Sequence, residues 1–141
     1  MASFVKYEQF ANDLGDKVHD LVGTDDTLKV ALTNTAPTVA TDATLSNITE
    51  ITAQNGYSAG GSDTQNSGSE SGGTLTVTGT DITFTASGGT IGPFRYAVLY
   101  NDTPISPADP LIGYWDYGSS VTLSDGESFT VDFGASLFTI A

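Results

Sequence analysis

The side chains in this sequence that are best suited to catalysis are one histidine and 17 acidic residues. Asp116 and Asp132 would form a glycosidase-type pair if the fold brought their carboxyl groups together. His19 would need a nucleophile or a water molecule, held by further partners, to act as a general base. No motif surrounds His19, and alternating strand patterns put both aspartates at outer or rim positions. We therefore expect His19 to be a solvated helix-end residue and the protein not to be an enzyme, with a glycan hydrolase as the alternative.

The acidic residues also raise the question of a calcium site, because Ca²⁺ binds several carboxylate and carbonyl oxygens. Asp25 and Asp26 form only a pair, and the D-x-[DN]-x-[DN]-G pattern of a calcium loop does not occur. Cysteine is absent, as are a phosphate-binding loop and the H-E-x-x-H zinc motif. The sequence therefore predicts no catalytic residue, no metal site and no cofactor.

The balance of charge is strongly acidic. Only Lys6, Lys17, Lys29 and Arg95 oppose the 17 acidic residues, so the formal net charge of the 141-residue chain is −13. Nucleic acids are bound by clustered Lys and Arg, and a chain with this charge repels phosphate backbones. The chain has no run of 18 apolar residues, and its start has no basic region followed by an apolar stretch. We therefore expect no nucleic-acid partner, no membrane partner and no signal peptide.

Large aromatic side chains are concentrated at Tyr114, Trp115 and Tyr117. Tyr and Trp anchor many protein interfaces and sugar-binding platforms, so these residues are candidates for contact with another subunit or with a partner. The alternative is that they fill the protein core or a subunit seam. Arg95 is an isolated cation within a strand pattern, and we expect it to pair with an acid within the fold or across a subunit contact. The candidates for contact with another subunit or with a partner are thus Arg95, Tyr114, Trp115 and Tyr117.

One amphipathic helix is predicted near the start of the chain, over about residues 3–22. Apolar side chains recur there at intervals of three and four residues, from Tyr7 to Val22, which places them in one stripe on a helix. Ser3 suits the N-cap, and Gly23 suits the left-handed residue that follows a helix. We expect the stripe to pack on the protein's own sheet or, alternatively, on a partner.

The rest of the chain, from about residue 27 to residue 140, is predicted to form seven or eight strands. Apolar and polar residues alternate with a period of two, and glycine and proline turns separate the alternating runs. The strand at residues 94–100 has apolar residues on both faces, which predicts a central position in a sheet. Two hairpins are expected, one within residues 75–86 and one within residues 121–135.

The segment 58–73 has no large apolar residue, which indicates a flexible polar segment or, alternatively, an edge strand with a mobile loop. A chain of 141 residues is expected to form a single domain, residues 1–141. Its pattern of short strands predicts a mainly β fold. The predicted architecture is an antiparallel β-sandwich of the jelly-roll or immunoglobulin-like kind, with one N-terminal amphipathic α-helix.

Five motifs in the chain carry a resemblance to a known family. They are K-Y-E-Q-F at residues 6–10, D-T-L-K-V-A-L at 26–32, G-Y-S-A-G-G at 56–61, R-Y-A-V-L-Y at 95–100 and P-L-I-G-Y-W-D-Y-G at 110–118. In these motifs the chain resembles small virion proteins of tailed bacteriophages. The resemblance spans nearly the full chain, and its motifs are structural ones that contain no reactive group.

The resemblance implies a structural role in the virion, as a head decoration protein, also called a cement protein. Such proteins bind the outside of the capsid, usually as trimers, and bridge neighbouring capsomers. The implied partners are therefore the major capsid protein and further copies of this chain in a homotrimer, on the outer surface of the capsid. The alternative is a tail or head-fibre adhesion protein that contacts the host surface through Tyr114, Trp115 and the segment 62–73.

Overall fold

The protein is mainly β in the computed structural model, which describes residues 2–141 and contains 44% strand and 8% helix. All of its strand pairs are antiparallel, and one short helix lies near the N-terminus. The predicted fold class, an antiparallel β-sandwich with one N-terminal helix, is confirmed. The elements are β1 (Phe4–Lys6), α1 (Glu8–Gly15), β2 (Leu28–Thr33), a 3-10 turn (Leu45–Asn47), β3 (Ser62–Asp63), β4 (Ser67–Ser71), β5 (Thr74–Thr78), β6 (Ile82–Thr85), β7 (Ile91–Asn101), β8 (Leu111–Leu123), β9 (Ser128–Val131) and β10 (Phe138–Ile140).

Three sheets build the sandwich. Five strands form the largest sheet in the order β1-β8-β7-β2-β3, while β10-β5-β4 and β6-β9 form two smaller sheets. The main core brings together one face of the large sheet and the small sheets, and it holds Leu32, Leu99, Val77 and Phe84 among its buried side chains. A smaller cluster covers the opposite face of the large sheet, where the connection between β2 and β3 packs on it. The large sheet is therefore buried on both faces around its centre.

Strand β7 occupies the centre of the large sheet, between β8 and β2, as its apolar faces predict. Val98 belongs to the smaller cluster, whereas Ala97 belongs to the main core. Strict alternation puts Phe94 on the face of Val98, but Phe94 lies in the main core. The cause is a register shift between Phe94 and Tyr96, where β8 contains extra residues opposite β7.

The N-terminal helix is shorter than the predicted range of residues 3–22, and its start differs. Phe4–Lys6 form strand β1, which pairs with β8 at the edge of the large sheet, and α1 begins only at Glu8. Phe4 pairs with Trp115, and the centroids of their rings lie 5.3 Å apart. The pairing of β1 with β8 outweighs the helical spacing of the apolar residues. Ser3 therefore precedes a strand, and its prediction as the N-cap of the helix is wrong.

The helix also ends earlier than predicted, at Gly15, and Gly23 is not the left-handed residue that follows it. After Gly15 the chain leaves the helix at Lys17, whose φ of 61° is left-handed. The amide of Val18 donates to the carbonyl of Asp13 at 2.9 Å, which is the bond of a Schellman-type helix end. Glycine is the usual residue at the left-handed position, so the sequence pattern favours Gly23 over Lys17.

The two predicted hairpins are wrong, although their strands exist. Strand β5 pairs with β4 and β10 instead of β6, and β6 pairs with β9. The turn between β8 and β9 does form, with the amide of Glu127 donating to the carbonyl of Ser124 at 2.9 Å. It carries the chain from the large sheet to a small one. The connections from β5 to β6 and from β8 to β9 thus both lead from one sheet to another, and a period-two pattern does not reveal which strands become partners.

The polar segment 58–73 contains two edge strands, β3 in the large sheet and β4 in the sheet β10-β5-β4. Asn66 is 6% exposed, accepts a hydrogen bond from the amide of Leu28 and donates one to the carbonyl of Asp26, both at 2.8 Å. Thr64 is buried beside it and donates to the carbonyl of Leu28 at 3.0 Å. These buried polar side chains fix the segment. The segment therefore contains edge strands, as in the alternative prediction.

A turn forms around Tyr57, whose amide donates to the carbonyl of Gln54 at 3.0 Å. The buried Tyr57 hydroxyl donates to the Glu50 carboxylate at 2.6 Å and accepts from the amide of Leu32 in β2 at 3.0 Å. The same carboxylate accepts a hydrogen bond from the amide of Gly60 at 2.8 Å. The turn therefore holds the connection after β2 against that strand.

Candidate functional site

The three aromatic contact candidates lie on β8, and the alternation of this strand divides them between two faces. Tyr114 is half-buried on the face of the smaller cluster. The centroid of its ring lies 5.6 Å from that of Tyr7 and 6.0 Å from that of Tyr96. Tyr114 therefore presents part of its ring at the surface and remains a candidate for contact with a partner.

Trp115 and Tyr117 lie on the core-facing side of β8. Trp115 is 4% exposed, and its ring centroid is 5.3 Å from that of Phe4 and 5.4 Å from that of Phe133. Tyr117 packs edge-on against Phe129 at 4.9 Å, and burial raises the pKa of Tyr117 to about 12. Burial in the subunit's own core corrects the prediction of Trp115 as a contact residue. Its place agrees with the alternative in which these aromatic residues fill the sandwich.

Arg95 pairs with an acidic residue of the same chain, which is one of the two predicted outcomes. Its Nε and Nη2 atoms donate to the two carboxylate oxygens of Asp116 at 2.8 and 3.1 Å, a bidentate arrangement. The guanidinium also lies over the ring of Tyr96, 5.3 Å from its centroid. The hydrogen bonds from Arg95, followed by one from the amide of Gly118, lower the pKa of Asp116. This exposed pair lies next to Tyr114 on the outer face of β8.

The two carboxylates considered for a glycosidase-type pair, Asp116 and Asp132, lie on different strands or turns and have different partners. Asp116 is held by Arg95 on the outer face of β8. Asp132 is exposed directly after β9 and accepts a hydrogen bond from the amide of Gly134 at 2.8 Å within its own turn. Each of the two carboxyl groups is thus held by local contacts of its own strand pair or turn.

Residues 56–60 match the G-x-S-x-G pattern of a nucleophile elbow. In hydrolases the serine of this pattern stands between a strand and a helix, with a histidine within hydrogen-bond reach. Here Ser58 lies in a loop that adjoins neither element, and His19 contacts Asn101 and Phe10. The pattern is a turn sequence in this fold.

His19 is not the solvated helix-end residue that the sequence predicts. It lies in the connection from α1 to β2, half-buried, with its ring edge-on to Phe10 at 5.1 Å. The side-chain amide of Asn101 lies 3.0 Å from Nδ1 of His19 and 2.6 Å from the carboxylate of Asp26. Within residues 2–141, neither Nε2 of His19 nor the buried Oδ2 of Asp13 has a hydrogen-bond partner. His19, Asp13, Asp26 and Asn101 form a polar cluster, called the His19 cluster below.

The His19 cluster should make the protein less stable as the pH falls below about 6.5, the ordinary pKa of histidine. Burial lowers the pKa of His19, and this outweighs the opposing effect of the Asp13 and Asp26 carboxylates. The unfolded chain therefore takes up the proton first, and the stabilisation is present above pH 6.5 and lost as the pH falls towards the folded-state pKa. One proton changes the free energy of unfolding by at most about 1.4 kcal/mol per pH unit.

NMR titration measures the pKa of His19 directly, because it is the only histidine in the chain. Urea denaturation between pH 7.5 and 5.5 should show the loss of stability in the wild type and a smaller loss in His19→Gln. A titration midpoint at or above 6.5 in the folded protein, or equal pH dependence of the two proteins, would contradict the prediction.

A groove of about 570 Å³ opens between α1 and the strands β1 and β10. Both strands are outermost in their sheets, so each has an edge without a partner strand within residues 2–141. Apolar side chains from the two sides line the groove, and the exposed Lys6 adds a positive charge. We call this feature the edge groove; its lining residues are Phe4, Lys6, Phe10, Ala11, Leu14 and residues 136–140.

A loop connects β7, which ends at Asn101, to β8, which begins at Leu111. Residues 102–110, called the proline loop below, carry Ile105, which at 89% exposure is the most exposed large apolar side chain within residues 2–141. A bridge between Ile105 and Ala108 closes the tip of the loop. Prolines fix the backbone φ on both sides of this tip.

The edge groove and Ile105 are not among the sequence-predicted candidates. Ile105 has a visible signal: it is a β-branched apolar residue between two prolines, with no alternating neighbours that would bury it in a sheet. The edge groove has no such signal in the sequence, because its walls come from α1 and from strands near opposite ends of the chain. Only the folded chain brings these walls together.

No group of three or more histidine, aspartate and glutamate side chains within residues 2–141 is arranged to hold a metal ion. Over the same residues, no helix is long and apolar enough to cross a bilayer. No family model matches the chain, and no curated protein and no solved structure matches it significantly. Its function is therefore inferred from its own residues and surfaces.

Proposed function

We propose that this protein is a decoration protein of a tailed-bacteriophage head, which binds the outside of the capsid as a homotrimer and stabilises the shell. The observation that carries the proposal is where the five motifs of the phage resemblance lie in the fold. Residues 26–32 contribute β2, residues 95–100 lie in β7, residues 110–118 form the first part of β8, and residues 6–10 join β1 to α1. These four strands are neighbours in the order β1-β8-β7-β2. Motifs that are distant in sequence thus meet in one packed sheet.

The fifth motif, residues 56–61, packs against the same sheet. Its Tyr57 hydroxyl accepts a hydrogen bond from the amide of Leu32 in β2 at 3.0 Å. The carbonyl of Gly60 in turn accepts a hydrogen bond from the hydroxyl of Tyr100 in β7. All five motifs therefore contribute to one structural unit, which is what motifs of a common fold should do. This supports a shared architecture with the phage virion proteins.

The charge and the expected mode of binding also fit a protein on the outside of a capsid. A net charge of −13 keeps the chain soluble and disfavours contact with packaged DNA. Three linked copies can each make a modest contact with the shell and together bind far more tightly than one. A protein that binds the assembled shell and not its separate subunits stabilises the shell by mass action.

Binding to purified heads tests the proposal. Protein added to heads that lack it should bind saturably, in many copies per particle, and raise the temperature at which the heads release DNA. Quantitative mass spectrometry of purified virions gives the number of copies, and a DNA-binding dye reports release during heating. Bovine serum albumin at the same concentration is the control for nonspecific stabilisation. A handful of copies per virion, or an unchanged release temperature despite binding, would contradict the proposal.

The alternative, a fibre protein that contacts the host, rests on Tyr114, Trp115 and the segment 62–73, and only Tyr114 keeps the exposure that it needs. The Trp115 side chain is buried in the core and is not available to a host glycan. The segment 62–73, which was to act as a mobile loop, contains the edge strands β3 and β4.

A further inference from the structure

A trimer of the kind proposed above requires two different contact patches on each subunit. In a closed ring of three, every interface is heterologous: a patch on one subunit meets a different patch on the next. The chain must therefore carry a projecting feature and a matching recess, complementary in shape, in apolar character and in charge. This requirement follows from the trimer of the proposed function.

The proline loop supplies a projecting apolar feature. Ile105 is 89% exposed, an unusual degree of exposure for a large β-branched side chain. Pro104 and Pro107 restrict the backbone on either side, and Ala108 bridges back to Ile105. A tip that is fixed before binding loses little conformational entropy on docking. The loop is thus suited to insert one apolar side chain into a recess.

The edge groove supplies a recess. It is lined mainly by apolar side chains of α1, β1 and β10, and its volume of about 570 Å³ exceeds that of a single side chain. Its walls end in the unpaired edges of β1 and β10, so there is room for a short segment of backbone as well as a side chain. Binding of an apolar group in this groove is favourable because it removes apolar surface from water.

The two features also have complementary charge. Lys6 lines the groove, and no acidic residue within residues 2–141 forms an ion pair with it. The proline loop contains Asp102 and Asp109, of which Asp102 is held by Lys29 at 3.2 Å. Burial, and then the neighbouring Asp102 carboxylate, raise the pKa of Asp109. A lysine from another subunit would relieve this unfavourable environment, and Lys6 is placed in the recess to do so.

We propose that the proline loop of one subunit inserts Ile105 into the edge groove of the next, with Asp109 of the first subunit near Lys6 of the second. Repeated around a threefold axis, this head-to-tail contact closes the trimer. The occupant of the edge groove is therefore a second copy of this chain.

Disulfide cross-linking tests the contact in the intact protein, because the chain contains no cysteine of its own. Ala11 is an exposed residue of α1 that lines the edge groove. The double variant Ile105→Cys/Ala11→Cys should give covalent dimers and trimers on mild oxidation, and a reductant should reverse them. The matched control is Val22→Cys/Ala11→Cys, since Val22 is also an exposed apolar residue, at 59%, but lies outside the loop and the groove. Cross-linking should be faster than in the control by a factor on the order of 10 or more.

Mixing two damaged proteins tests the head-to-tail geometry. Ile105→Asp destroys the projecting feature but leaves the groove, whereas Ala11→Glu puts a charge in the groove but leaves the loop. Each protein alone should be monomeric in native mass spectrometry. An equal mixture should contain a dimer of one copy of each, because the intact loop of one fits the intact groove of the other. A mixture that stays monomeric, or an Ile105→Asp protein that remains a trimer, would overturn the proposal.

The same cross-link separates this inference from the proposed function. If covalent trimers form but the trimer does not bind heads, the contact stands and the decoration role fails. If the protein decorates heads but the Cys pair cross-links no faster than the control, free or bound to heads, the contact is wrong. The groove would then be free for a strand of the capsid protein, which could add to the open edges of β1 and β10.

Discussion

Replacing Trp115 with alanine should lower the free energy of unfolding by about 3–5 kcal/mol, the usual cost of removing a large aromatic side chain from a core. Trp115 is 4% exposed and packs between the rings of Phe4 and Phe133, at 5.3 and 5.4 Å. Its loss leaves a cavity and also weakens the docking of β1, because Phe4 is its partner in the sheet. Since a domain is stable by only about 5–15 kcal/mol, urea denaturation should show a large shift of the midpoint.

Tyr114→Ala is the matched control for this substitution. Tyr114 is the neighbour of Trp115 on the same strand, but it lies on the opposite face and is half-buried. Its removal should cost about 1 kcal/mol, in line with the value of an aromatic pair at a partly exposed site. Equal losses from the two substitutions would contradict the assignment of Trp115 to the core and Tyr114 to the surface.

The strands that the sequence predicts well are those in which burial alone determines the pattern. Residues 28–33 and 94–100 are rich in apolar side chains because both faces of these strands meet a core, whichever strand lies beside them. The loop after β7 was equally predictable, since three prolines cannot donate to a ladder. These features are local consequences of side-chain polarity and backbone chemistry.

The partners of the strands could not be predicted in the same way. Residues 74–78 and 82–85 have the pattern of a hairpin, yet they join different sheets. The stripe at the N-terminus has helical spacing, but Phe4 is held in a strand by its pairing with Trp115. In each case a contact between distant parts of the chain determines which strands pair. The residue pattern of the segment itself does not reveal that contact.

Buried polar residues account for a further failure of prediction. Asn66 and Thr64 are polar residues of types that are usually exposed, and they lie in a segment whose composition indicates flexibility. They are buried because they satisfy the backbone groups of Asp26 and Leu28 at the start of β2. Such a role depends on where backbone donors and acceptors are left unpaired, which is known only once the sheet is formed.

The faces of the contact candidates could not be predicted for a related reason. The concentration of aromatic residues on β8 points to Tyr114, Trp115 and Tyr117 alike, because a period of two does not say which face of a strand is the more exposed. Arg95 was predictable as a paired cation, because an unpaired charge within a strand of a sandwich is unfavourable. The edge groove could not be predicted from the sequence, since α1, β1 and β10 meet only in the folded chain.

Replacing Gly61 with alanine should lower the free energy of unfolding by about 2–5 kcal/mol. Gly61 has a left-handed φ of 75°, which costs a residue with a Cβ about 1–2 kcal/mol. A Cβ at this position would also overlap the carbonyl oxygen of Val30 and lie 2.9 Å from the Cα of Ala31. Strand β2 would have to move to relieve the overlap, at a further cost of about 1–3 kcal/mol. Urea denaturation at constant pH measures the sum.

Gly72→Ala separates the two parts of this cost. Gly72 also has a left-handed φ, 62°, but a Cβ there would meet no atom within 4 Å. Its substitution should therefore cost only the backbone term of about 1–2 kcal/mol. The difference between the two variants isolates the close approach of the G-Y-S-A-G-G turn to β2. If Gly61→Ala is no more destabilising than Gly72→Ala, the turn is not packed against β2 as described, and the structural unit that carries the phage resemblance loses one of its five parts.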